Sequence, residues 1–222
     1  MGRIELTSFE DWVRHLFDHP ATGPQWFADP DAPFWAGSAD VVVSWVTRLF
    51  DDPLPPLAPY SDAQLGQGFW YLISNGASDC MFALFDASVP LDARVRCLSA
   101  TTTVFRRLFA ARCTPHLSHL DEAGCGPLDT TCYMWWDLLP LAGAPGDAAR
   151  RALDRAALDV MAQVLALDAV ACQESALHGL GHWHAAYTDV VEATVDRFLA
   201  ASARMRPELV AYARSARAGC VQ

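Results

Sequence analysis

Three residues spaced one helical turn apart, Glu174, His178 and His182, are the first place where this sequence could do chemistry. On a helix, side chains four positions apart point the same way, so a carboxylate and two imidazoles can converge on one ion. Such a donor set suits zinc or iron. The zinc-protease pattern HExxH also uses two histidines at this spacing, but it carries its general-base glutamate between them. Here Gly179, Leu180 and Gly181 stand between the histidines, so a base is not built into the pattern. A second set of donors is Cys113, His116, His119 and Cys125, four ligands of the right kind within one loop, interleaved with Asp121 and Glu122. The competing reading is a polar, well-packed loop whose acids pair with arginines. For the helical set, it is histidines that bond across to a neighbouring helix.

Nucleophile chemistry finds little support. A Gly-x-Ser-x-Gly elbow does not occur, and the positive charge is all arginine, which excludes a phosphate-loop lysine or a Schiff-base lysine. Cys172 falls on an apolar helical arc, where a thiol is inert. Tyr133, Trp135 and Trp136, next to Asp137, make an aromatic stripe that is expected to be core.

These residues need helices to position them. Apolar residues recur at helical spacing along most of the chain, and no convincing strand pattern appears. Helices are expected at 7–19, 39–50, 61–74, 78–86, 91–112, 130–139, 147–166, 169–186, 188–202 and 206–217. The segment 20–37, rich in proline and aromatics, is irregular, and Pro53–Pro56 is expected to be a rigid connector. Residues 113–130 are a loop. The 222 residues, 52% of them hydrophobic, suit one all-α domain. Residues 1–38 hold an N-terminal helix and irregular segment, and 39–222 hold helix pairs.

The run from Leu165 to His182 resembles the middle of a HEAT repeat. Asp168 matches the turn between the paired helices, and Ala176, Leu177, Leu180 and Gly181 match the small–Leu–x–x–Leu–Gly run of the second helix. The usual arginine after the turn is absent, with Gln173 or Glu174 nearby. The chain as a whole also resembles an uncharacterised bacterial family of similar length. The resemblance implies stacked antiparallel helix pairs, as a HEAT-like α-solenoid or an irregular helical array. It also implies a concave surface, lined by the second helix of each pair, that holds a partner.

Helical angles then place Gln64, Gln67 and Tyr71 on one polar face, Arg96, Ser99, Thr103 and Arg106 on the next, and Glu174, His178 and His182 on the last. A partner is expected along these faces. The net charge of -10 and a pI near 5.0 disfavour nucleic acid and suit a basic protein partner. Without a signal-peptide plan or a membrane-length apolar run, the chain is expected to be cytoplasmic, with its seven cysteines as free thiols. The expected function is therefore a protein-interaction module, immunity- or antitoxin-like, working without a cofactor. The rival is a metal-binding protein or metal-dependent enzyme holding zinc or iron at one of the two donor sets.

Overall fold

Serine and proline punctuation sets where the helices begin. Ser8 accepts a hydrogen bond from Asp11 N and caps α1 (Phe9–Phe17), and Ser61 forms a capping box with Gln64 at α4 (Asp62–Ile73). Between them lie α2 (Ala39–Asp51) and a single helical turn, α3 (Leu54–Leu57). That turn replaces the expected rigid connector, because prolines in a first helical turn sacrifice no intrahelical donor. The computed structural model describes residues 2–201 and 205–221, and its described residues are almost entirely helical.

The expected helix at 78–86 is a 3-10 segment, Cys80–Phe85. The expected helix at 91–112 is continuous but not uniform. It comprises α5 (Leu91–Val104), a π turn at Phe105–Phe109 and α6 (Ala110–Arg112). A π turn opens the backbone ladder locally, and the Phe105 carbonyl there receives the Cys172 thiol at 3.8 Å. The aromatic stretch forms two short helices, α7 (Pro127–Tyr133) and α8 (Trp135–Leu138). The last four are α9 (Arg151–Leu165), α10 (Val170–Trp183), α11 (Thr188–Ala200) and α12 (Pro207–Arg217). Ser202, where the sequence placed the end of α11, lies outside the described residues. A two-residue parallel pairing, β1 (Arg3–Ile4) with β2 (Phe34–Trp35), departs from the expectation of no strands and anchors the irregular segment.

The core is aromatic at its centre. Trp135 is fully buried, and the rings of Phe50, Phe69, Phe105 and Phe109 surround it at 5.4–5.8 Å. This agrees with the aromatic stripe being core. α10 packs against α7, α8, α9, α11 and α12, so it runs through the C-terminal half as a central helix. All seven cysteines are free thiols. No helix among the described residues is long and apolar enough to cross a membrane.

One packing feature near the N-terminus carries a pH dependence. His15 lies edge-on to Trp26 and Tyr71, beside His19, and its Nε2 is buried without a hydrogen-bond partner. Burial, and then the neighbouring His19, push its pKa from 6.5 down to about 4. Between those two values the unfolded chain holds the extra proton, so stability rises with pH across the window. The contribution is complete above 6.5 and is lost as pH falls towards about 4. Thermal melts from neutral to acidic pH should show Tm falling through this range, and His15→Phe should flatten that slope. An unchanged slope in the variant would show that other groups cause it.

Candidate metal centre

His178 and His182 occupy successive turns of α10, and their rings meet at 4.6 Å. The third group is Asp137, delivered by α8. Its Oδ2 lies 2.9 Å from His178 Nε2 and its Oδ1 3.3 Å from His182 Nε2. One donor atom from each of the three residues lies within 4.8 Å of the other two, and no other such group occurs among the described residues. That spacing is compatible with an ion held by bonds of about 2.0–2.2 Å after small side-chain adjustments. His178 is buried, whereas Asp137 and His182 retain 29% and 45% side-chain exposure. An ion placed there would be held from the protein side and accessible from solvent.

Small residues let α8 come this close. A Cβ on Gly179 would stand 2.5 Å from the ring of Trp136, the residue next to Asp137, and 2.8 Å from Met161 Sδ. A Cβ on Gly181 would stand 2.6 Å from Val221. The two glycines between the histidines thus admit α8 on one side and the C-terminal segment on another.

A layer of tyrosines supports the histidines. His178 Nδ1 is 2.7 Å from the Tyr212 hydroxyl, which lies 3.3 Å from that of Tyr133. Burial, and then the neighbouring Tyr133, hold the Tyr212 phenol protonated far above its ordinary range. One phenolic proton allows two arrangements of the chain. Either Tyr212 donates to His178 Nδ1 while Nε2–H donates to Asp137, or His178 Nδ1–H donates to Tyr212, which donates onward to Tyr133. The second frees His178 Nε2 as a metal donor, and its outer hydrogen bond is the usual one for a ligating histidine. Burial lowers the pKa of His182, with the Asp137 charge opposing it and His178 reinforcing it, so this imidazole favours the neutral form that a metal needs. Asp137 is held below its usual carboxylate range. Its partial burial works against that, and the hydrogen bond and charge of His178 overcome it.

Glu174 is not part of the centre, contrary to its spacing. Its carboxylate is fully buried, a third turn along α10, and accepts from Ser118 N at 3.0 Å and His119 N at 2.9 Å. His119 Nδ1 lies 2.6 Å away on the same oxygen as the His119 amide. A buried carboxylate requires donors, and the loop supplies them. His119 in turn stacks on Tyr212 at 3.9 Å, so Glu174 reaches the centre only through the tyrosine behind His178.

The loop set Cys113, His116, His119 and Cys125 does not converge on one point among the described residues. Cys113 Sγ points to the Leu128 carbonyl, Cys125 Sγ receives the Ser118 hydroxyl, and His116 packs against Gly124. Asp129 binds the amides of Thr114 and Gly126, and Glu122 pairs with Arg206 and accepts from Leu117 N. These bonds fix the loop as a packed structure; of its two acids Glu122 has the expected arginine, and Asp121 has none among the described residues. It does meet α10, through His119 and Glu174.

The expected continuous polar face is also corrected. Gln67, Tyr71, Glu174 and His178 are buried. Gln67 donates to the carbonyls of His19 and Pro20, and Gln64 is spent on the cap at Ser61. Arg96 pairs with Asp51 on the surface, Thr103 is half-buried, and only Ser99, Arg106 and His182 are exposed without such a tie to the N-terminal helices. Helical angle separates faces, but neighbours on every side bury both faces of a central helix.

Asp137 and Tyr212 are the residues that sequence reasoning missed. Asp137 stands as a lone carboxylate in the otherwise apolar run from Tyr133 to Leu141, which is the one local signal for it. Tyr212 lies 34 positions beyond His178 and carries no local signal.

Comparison of the chain with protein-family models, with curated proteins and with solved structures gave no match.

Proposed function

We propose that this protein binds one divalent transition-metal ion through Asp137, His178 and His182, leaving coordination positions open to solvent. The observation that carries the reading is the convergence of three donor atoms from two helices within 4.8 Å. Two imidazoles and one carboxylate are a donor set for zinc or ferrous iron rather than for calcium or magnesium, which take oxygen. Three protein ligands with a free position are the arrangement of a reactive metal, whereas structural sites close with a fourth ligand. A bound ion would supply an acidified water or a Lewis-acid contact to a small ligand. The chain's own part is to orient His178 through Tyr212 and to keep His182 neutral.

The test uses protein purified without a histidine tag, loaded with zinc or ferrous iron under exclusion of air, desalted and analysed for metal. One equivalent per chain is expected. Less than about a tenth of an equivalent for both ions would overturn the reading, given the affinity that a set of this kind confers.

The interaction-module reading retains the acidic charge of -10 as its support. A basic partner would then meet the general acidic surface rather than one groove. A HEAT-like relation between α9 and α10 likewise remains a proposal, supported by their direct packing and the short turn at Asp168.

A further inference from the structure

A separate cleft of about 270 Å³ opens between β2, the C-terminal end of α4 and the turn that follows it. Phe34, Trp35 and Tyr71 line it, together with Asn75, Ser78 and Asp79. Trp35 has its neighbour Trp45 stacked at 5.1 Å, which holds the indole in place. Tyr71 is only 5% exposed, packed by Trp26 and Phe27, and its hydroxyl is not among the buried polar atoms left without a partner.

Asp79 is the one charged residue of the lining. No arginine or histidine pairs with it among the described residues, whereas Glu10, Asp51, Asp62 and Asp196 each pair with an arginine. Its charge acts on the cleft, since after burial it is among the influences that raise the pKa of both Tyr71 and Cys80. Aromatic faces attract a cation through their quadrupoles, and a carboxylate at the rim supplies the counter-charge. A single carboxylate is too few oxygens for a calcium-type site.

We propose that this cleft binds a small organic ammonium ion, with Phe34, Trp35 and Tyr71 around the cation and Asp79 as its counter-ion. The Tyr71 hydroxyl meets a polar group of the same ligand or its water. The proposal is independent of the metal centre, and its test is run with a chelator present.

The probes are choline, n-propylammonium and the neutral carbon isostere of choline, in which a tert-butyl group replaces the trimethylammonium. Binding is followed by calorimetry and by tryptophan fluorescence. Saturable one-to-one binding is expected for at least one of the two cations, about tenfold or more tighter than for the isostere, in keeping with a desolvated cation–aromatic contact. Asp79→Asn, an exposed change expected to leave the thermal melt unaltered, should weaken that cation about tenfold or more. The proposal is overturned if neither cation binds at millimolar concentration. It is equally overturned if the isostere binds as tightly, or if Asp79→Asn folds normally and binds the cation unchanged.

Discussion

Glu174→Ala should destabilise the protein by about 3 kcal/mol or more. The carboxylate is completely buried and gathers three donors from one loop: two backbone amides and the His119 imidazole. Alanine removes the acceptor, leaves those donors unpaired and opens a cavity in the middle of α10. Each donor left unsatisfied costs about 1–3 kcal/mol if it cannot reach water. Ser118 and His119 are half-buried, so part of that cost is recovered by solvent. Glu174→Gln keeps the volume but offers one acceptor oxygen in place of two, so it should fall between wild type and alanine. Urea unfolding at constant m measures both. A midpoint for Glu174→Ala within error of wild type would mean that the loop stands without this anchor. The loss should also show locally, because His119 would leave its stack on Tyr212.

His182→Ala should lower zinc affinity about a hundredfold or more while leaving the thermal melt nearly unchanged. The imidazole is 45% exposed and its one polar partner among the described residues is Asp137, so its removal takes away a ligand and little packing. Tyr212→Phe tests the layer behind. It keeps the ring stacked on His119 but removes the oxygen that faces His178 Nδ1. Loss of such an outer hydrogen bond costs about 10–100-fold in metal affinity. His182→Ala and Tyr212→Phe should therefore both weaken zinc, the former by more. Competition with a chromophoric chelator measures the two affinities. Equal zinc affinity in wild type and His182→Ala would remove Asp137, His178 and His182 as the binding site, even if the protein carried metal elsewhere.

Much of the fold was legible because its causes are local. Apolar residues at helical spacing and the proline and glycine interruptions are statements about neighbouring residues, and they mark the principal helices to within a few positions. The lapses are local as well. The Pro53–Pro56 connector winds into a turn because prolines tolerate a first helical turn. The β1–β2 pairing joins two-residue segments that are too short to show alternation.

The candidate site divides in the same way. His178 and His182 were identifiable from sequence because positions four apart on a helix face one direction in any fold. Glu174 has the same spacing and was placed with them for the same reason. Helical spacing determines which residues are aligned but not what stands opposite each turn. At the turn of Glu174 the fold presents the amides of residues 118 and 119, which claim the carboxylate. At the turns of His178 and His182 it presents Asp137, brought in by α8 over the gap at Gly179. The sequence by itself thus determined the helices and the histidine pair. The tertiary structure decided which carboxylate joins that pair, because that choice depends on long-range packing that no local pattern encodes.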